Sequence, residues 1–245
     1  MVLSIKSFAA YRNKMGNWEY FIKQFADNGG YKKVLNGLLI TAEVAVIGLI
    51  IGIIVGTIIA IIKVVPKTNI VVKILDKIGV FYVAFFRGTP MVVQLLLAYW
   101  VLLPLIGWEI AATWVAIIMF GLNSGAYVSE IMRSGIQSVD KGQMEAGRAL
   151  GLTFGKTMMK VVIPQSVKNI LPTLGNEFIT LIKETSVLSF IAIVDLTKAF
   201  KQLGDGNYNY IIPYLMLALV YLVLVMLISL LIKMLERRLR ASERK

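Results

Sequence analysis

Long apolar runs without strand-like alternation constrain this chain more than any other feature. A helix that crosses a bilayer needs about 20 mostly apolar residues, and five stretches approach that requirement. They are Gly37 to Ile62, with Glu43 as its one charge; Val80 to Leu103, which contains Arg87, Gly88, Thr89 and Pro90; and Ile110 to about Ile131, with Asn123 and Ser124 inside it and Glu130 near its end. The fourth, roughly Ile170 to Val194, is the least apolar and holds Asn176, Glu177, Lys183 and Glu184; the fifth, Ile211 to Ile232, is interrupted mainly by Ser229. Barrel strands would instead be alternating segments of about ten residues. The pattern predicts an all-α fold, a polytopic membrane bundle of five transmembrane helices.

Composition narrows the function. A hydrophobic share of 58% with 16% charged residues does not describe a soluble chain. The excess of 26 Lys+Arg over 14 Asp+Glu sits mainly between and after the apolar runs, which is juxtamembrane anchoring rather than a face that tracks phosphates, so no nucleic acid partner is expected. The chain has no Cys and no His. Disulfides, thiolate nucleophiles, imidazole catalysis and the usual zinc ligands are therefore out of reach, no metal site is expected, and an intramembrane enzyme is disfavoured. A phosphate loop of the form G-x-x-x-x-G-K-[ST] is also lacking, so nucleotide chemistry would have to come from another chain.

Lys and Arg placement orients the spans. The linker Lys63 to Gly79 has four, the loop Ile131 to Asn169 has six, and the C-terminal stretch has six (Lys233, Arg237, Arg238, Arg240, Arg244, Lys245), whereas Pro104 to Glu109 has none and Asp195 to Tyr210 has only Lys198 and Lys201. Five spans put the three rich stretches, including the tail 241–245, on one side, the cytoplasmic one, and the N-terminus outside. Residues 1–35 run against the trend with six Lys/Arg. They read as an N-terminal extension without a secretory signal, in which Asn17 to Tyr31 mixes Trp18, Tyr20, Phe21 and Phe25 with charges as an interfacial amphipathic helix would.

Gly48, Gly52 and Gly56 recur every four residues and offer one helix face for close approach, either to a helix of the same subunit or to another subunit. The loop at about 132–169 is more specific. Gly142 to Leu150 can form a short helix with Glu145 near its positive end, Gly151 suits a left-handed stop, and Pro164 breaks the chain before the next span. Glu145-Ala146-Gly147, Gly151, Val161, Ile163 and Pro164 resemble the E-A-A loop of permeases in ATP-binding-cassette importers at matched spacing, with Gly147 in place of the second alanine, Val161 for isoleucine and Ile163 for leucine. Arg87 to Gln94, Asn123 to Ile131 and Pro164 to Phe178 resemble the polar amino acid uptake branch of the same permeases, so the likeness covers residues 36–240.

That resemblance implies a type I ABC importer permease fold in the cytoplasmic membrane, bearing no ATPase activity of its own. It implies two partner ATPase subunits that use ATP and Mg, a second permease copy or close homologue, an extracytoplasmic amino-acid-binding protein, an amino acid substrate, and coupling through the loop around Glu145. An ion-coupled secondary amino acid transporter is the alternative; such carriers usually show inverted repeats, and no internal duplication is visible.

Charge at membrane depth usually faces a cavity or a partner. Residues seven apart share a helix face, which groups Glu177 with Glu184 and Asn176 with Lys183, with Thr180 between. Asn176, Glu177 and Thr180, joined by Asn123 and Ser124, are expected to line a substrate path. Lys183 and Glu184 either extend that lining or pair with each other or with Arg87. Gly88 and Pro90 predict a kink with a gating consequence beside Arg87.

Overall fold

The computed structural model describes residues 17–206 and 208–241; the expectations for residues 1–16 and 242–245 fall outside them. In chain order the helices are α1 (Asn17–Ile22, prolonged by a π-turn), α2 (Gly30–Val64), α3 (Ile70–Gly88), α4 (Met91–Ile106), α5 (Ala112–Gln137), α6 (Lys141–Ala149), α7 (Phe154–Thr157), α8 (Ile163–Glu184), α9 (Leu196–Asp205) and α10 (Ile211–Ala241). No strand occurs among the described residues.

Three of these helices, α2, α5 and the stretch Ile211–Leu239 of α10, are long and apolar enough to cross a membrane. The second expected span is two helices: α3 and α4 meet that standard only together, bent by 104° at Gly88 to Pro90. Helix α8 occupies much of the fourth expected span, but its polar residues keep it below the apolar standard, and a 3-10 turn, Thr185–Ile191, follows it. The first helix long enough to span, α2, begins at Gly30, inside the expected N-terminal extension.

The centre of the bundle is the crossing of α2 with α5. Gly48, Gly52 and Gly56 face Phe120, Ser124 and Val128, and a methyl group at Gly52 or Gly56 would stand 2.7 Å from the opposing Cβ. Gly121 and Gly125 return the arrangement against Ile51 and Val55. The glycine stripe is thus a packing device within one subunit. Val44, Leu95, Ile117, Phe120, Leu181 and Leu188 fill the core around it, while Leu215, Leu219, Leu222 and Leu230 on α10 stay exposed, the composition of a lipid-facing surface.

The bundle has two chemically different ends. At one, Lys63 closes α2 onto α5 by an ion pair with Glu130 at 2.5 Å, and Arg133 holds the other carboxylate oxygen at 2.7 Å. The loop carrying α6 and α7 follows directly from that end of α5. At the other, α9 buries Leu196, Phe200 and Leu203 together with Phe21 of α1 and Ile212 of α10, and Gly37 lies against the backbone of Asp195. Asp195 caps α9 by accepting from Thr197 N–H (2.9 Å) and Lys198 N–H (3.1 Å).

Candidate functional site

The loop helix α6 is built from its ends inward. The Asp140 carboxylate accepts from Gly142 N–H at 2.6 Å as an N-cap. Gly151 takes φ 81°, Gly151 N–H returns to Arg148 C=O and Leu152 N–H to Gly147 C=O, the paired reverse bonds of a Schellman stop. Between these ends Glu145 and Ala146 are exposed, and Leu150 is 83% exposed. Gly147 is buried against Thr157 of α7, whose side chain occupies the space a methyl group would need. The departure from alanine at this position therefore has a local cause. Gln165, beside Pro164 at the start of α8, bonds Gln143 of α6, and Asn169 bonds the Ser138 hydroxyl, so the loop is tied back to α8.

Helix α8 separates its polar residues into two sets. Asn176, Thr180 and Lys183 are exposed on one side, and Gln165, Asn169 and Thr173 continue that line at steps of four and three residues. Thr173 and Thr180 donate to the carbonyls of Asn169 and Asn176, so their hydroxyls satisfy themselves on the helix while the face remains polar. Glu177 points inward, 9% exposed, and accepts from the Ser124 hydroxyl at 3.0 Å. Ser124 in turn packs against Gly52 of α2. Glu184 is half-buried. Neither Lys183 nor Glu184 forms an ion pair among the described residues.

Asn123 belongs to a third arrangement, the elbow between α3 and α4. The last carbonyls of a helix lack intrahelical donors, and here side chains supply them. The Gln94 amide donates to Phe86 C=O (2.8 Å), Thr89 C=O (2.9 Å) and the Thr89 hydroxyl (2.8 Å); Asn123, 4% exposed, donates to Phe86 C=O (3.3 Å) and to Gln94 Oε1 (3.0 Å). Pro90 opens α4 with no N–H to satisfy. Arg87 and Gly88 are exposed, and the Arg87 guanidinium lies 5.3 Å from the centre of the Tyr127 ring rather than beside a carboxylate. The structure therefore brings Ser124 to Glu177 but sends Asn123 to the elbow. Sequence reasoning passed over Gln94 as a partner of Asn123 and missed the extension of the α8 stripe through Thr173 and Asn169; the four-and-three spacing was its signal.

The family described as binding-protein-dependent transport system inner membrane component matches residues 48–241. An arginine transport system permease protein of Bacillus subtilis is 40% identical over 210 residues, 86% of this chain and 94% of that protein. A putative glutamine transport system permease protein of Rickettsia bellii is 40% identical over 209 residues, 85% of this chain and 94% of that one. Among solved structures, an amino acid ABC transporter crystallised with histidines shares 35% identity at a TM-score of 0.79, covering 97% of this chain and 100% of that chain. A methionine ABC transporter in inward-facing conformations reaches a TM-score of 0.71 at 18% identity over 84% and 96% of the two chains, a likeness of fold.

Proposed function

The chain belongs to the family of binding-protein-dependent transport system inner membrane components, and from that premise we propose that the exposed polar face of α8 lines the route by which it passes a polar amino acid across the membrane. It has the type I ABC importer permease fold and is the permease subunit of an amino acid importer, with ATP hydrolysis carried out by a separate subunit. Membership decides against the ion-coupled carrier that the sequence left as the alternative.

One observation supports the route. Over residues 37–62 of α2 and 211–232 of α10 the exposed residues are apolar apart from Glu43 and Tyr214, whereas the exposed face of α8 carries Asn169, Thr173, Asn176, Thr180 and Lys183. A polar stripe against hydrocarbon is costly. It is relieved by a water-filled path at a junction with a second permease copy or close homologue, and Lys183 there offers a cation to the substrate carboxylate. Glu177 and Ser124 brace this helix from behind and Glu184 closes its far end. The elbow at Arg87, Gly88 and Pro90 is the gating element.

Coupling runs through α6. Glu145, Ala146 and Leu150 present an exposed surface, braced by Gly147 on Thr157, that fits a groove in one ATPase subunit, while the second permease copy or homologue engages the other; the two ATPase subunits use ATP and Mg. This loop and the C-terminus lie in the cytoplasm, and the N-terminal segment lies outside, where an amino-acid-binding protein delivers substrate. Arginine and glutamine are the first substrates to test, given the two relatives.

The test is uptake of a labelled amino acid panel into proteoliposomes holding this chain with its ATPase and binding protein, with and without ATP, for wild type, Glu145→Arg and Asn176→Leu with Thr180→Leu. ATP-dependent uptake is expected, lost in Glu145→Arg with assembly of the bundle intact. Undiminished uptake by the α8 double variant would refute the route.

A further inference from the structure

At the end of the bundle opposite α6, the turn between α4 and α5 borders an open cleft of about 410 Å³ lined by Tyr99, Trp100, Leu103, Pro104, Trp108 and Glu109, among others. Its geometry is fixed by the backbone. Gly107, at φ 69°, donates to Pro104 C=O and Trp108 N–H donates to Leu103 C=O, the same reverse-bonded stop that ends α6. This stop folds Trp108 and Glu109 back over the end of α4. Trp100 is held from its side by an indole N–H bond to Phe190 C=O (3.4 Å) and meets Tyr99 edge-on at 4.8 Å. The rings of this wall stay accessible: Trp100 is 56% and Trp108 64% exposed.

The lining holds one formal charge, the exposed Glu109 carboxylate, which has no hydrogen bond or ion pair among the described residues, and no Lys or Arg. Electron-rich ring faces beside a free carboxylate, with no competing cation, attract a positive group. The geometry points to a docking pocket for a Lys or Arg side chain of the extracytoplasmic binding protein. A free amino acid is the poorer occupant. It brings an α-carboxylate next to its cation, and the lining has no cationic group to receive it. This inference rests on the proposed importer and on the orientation that places the cleft outside.

The test uses the purified permease–ATPase complex in nanodiscs and reads tryptophan fluorescence during titration with Nα-acetyl-arginine methylamide, whose only charge is its guanidinium. Free arginine and Nα-acetyl-glutamine methylamide serve as comparisons. The blocked arginine is expected to shift the signal at the lowest concentration and free arginine at a higher one. The neutral amide should shift it least. Glu109→Gln should weaken the blocked arginine about three- to fivefold, as for an exposed ion pair, and Glu109→Lys should abolish its effect. Equal responses to the arginine and glutamine amides, or an unchanged midpoint in Glu109→Gln, would overturn the pocket and leave the rings as a membrane-interface belt. Binding of the probe by a complex that never shows ATP-driven uptake would count against the importer alone. Uptake stimulated by the binding protein and unchanged in Glu109→Lys would count against the pocket alone.

Discussion

Replacing Gln94 by Met tests whether the elbow between α3 and α4 is held by side-chain capping. The substitution keeps the volume and the unbranched shape but removes the amide. Phe86 C=O retains Asn123, whereas Thr89 C=O loses its side-chain donor and Asn123 Nδ2 loses the Gln94 oxygen it donates to. A buried polar group left without a partner costs about 1–3 kcal/mol; because Thr89 is only part-buried and Asn123 keeps its bond to Phe86 C=O, each loss sits at the low end of that range and the two together should cost about 2 kcal/mol. For a chain of this size that corresponds to a fall in Tm of about 4 to 8 °C. The assay is a thermal unfolding scan of the protein in nanodiscs. Gln165→Met serves as the control, because Gln165 is exposed and its bond to Gln143 spans 3.3 Å, and it should shift Tm by no more than about 2 °C. Asn123→Ala combined with Gln94→Met should cost less than the sum of the two single changes, since both remove one shared bond. A Gln94→Met protein that melts within about 2 °C of wild type, or strict additivity in the cycle, would refute the capping argument. The bend would then have to be ascribed to Gly88 and Pro90 alone.

Gly56→Val places a branched side chain where a first carbon already stands 2.7 Å from Val128 Cβ and 2.8 Å from Gly125 C=O; overpacking of at least about 1–3 kcal/mol should appear as a lowered Tm, and an unchanged Tm would mean that the two helices separate freely. Leu150→Asp alters a side chain with almost no contacts inside the chain, so Tm should hold within about 2 °C while the ATPase subunit fails to co-purify; retained ATPase would show that Leu150 lies outside that contact. Burial pushes the Asp195 carboxyl above its ordinary 3.8, against the pull of the Thr197 and Lys198 N–H bonds. The folded state then holds this proton more tightly than the unfolded chain. Its contribution to stability is greatest below the unfolded value and declines as pH rises through the folded one. Asp195→Asn should flatten that decline in a series of Tm measurements from acid to neutral pH, and a parallel profile in the variant would assign the pH dependence elsewhere.

What the sequence discloses and what it conceals divide along the range of the interactions. Apolar runs and the spacing of Glu145, Gly151 and Pro164 are local, and they lead directly to a helical membrane bundle and to a capped loop helix closed by Gly151. Gly48, Gly52 and Gly56 announce a close approach just as plainly, but the partner, Phe120, Ser124 and Val128 on α5, is fixed only by how the helices cross. The polar residues of α8 were legible as a set and not as two. A seven-residue period assigns Asn176 and Glu177 to neighbouring lines, and only the position of α5 decides that one faces out and the other meets Ser124. Asn123 shows the limit most clearly. A buried amide beside a serine in a membrane helix reads equally well as path lining or as a structural donor. The choice depends on the orphan carbonyls at Phe86 and Thr89, created by a break in a different helix more than thirty residues earlier. Polar residues within spans therefore need two questions in order: which backbone groups the breaks leave unsatisfied, and which polar side chains remain once those have been supplied. Here Gln94 and Asn123 answer the first, and the exposed polar face from Asn169 to Lys183 is what the second leaves.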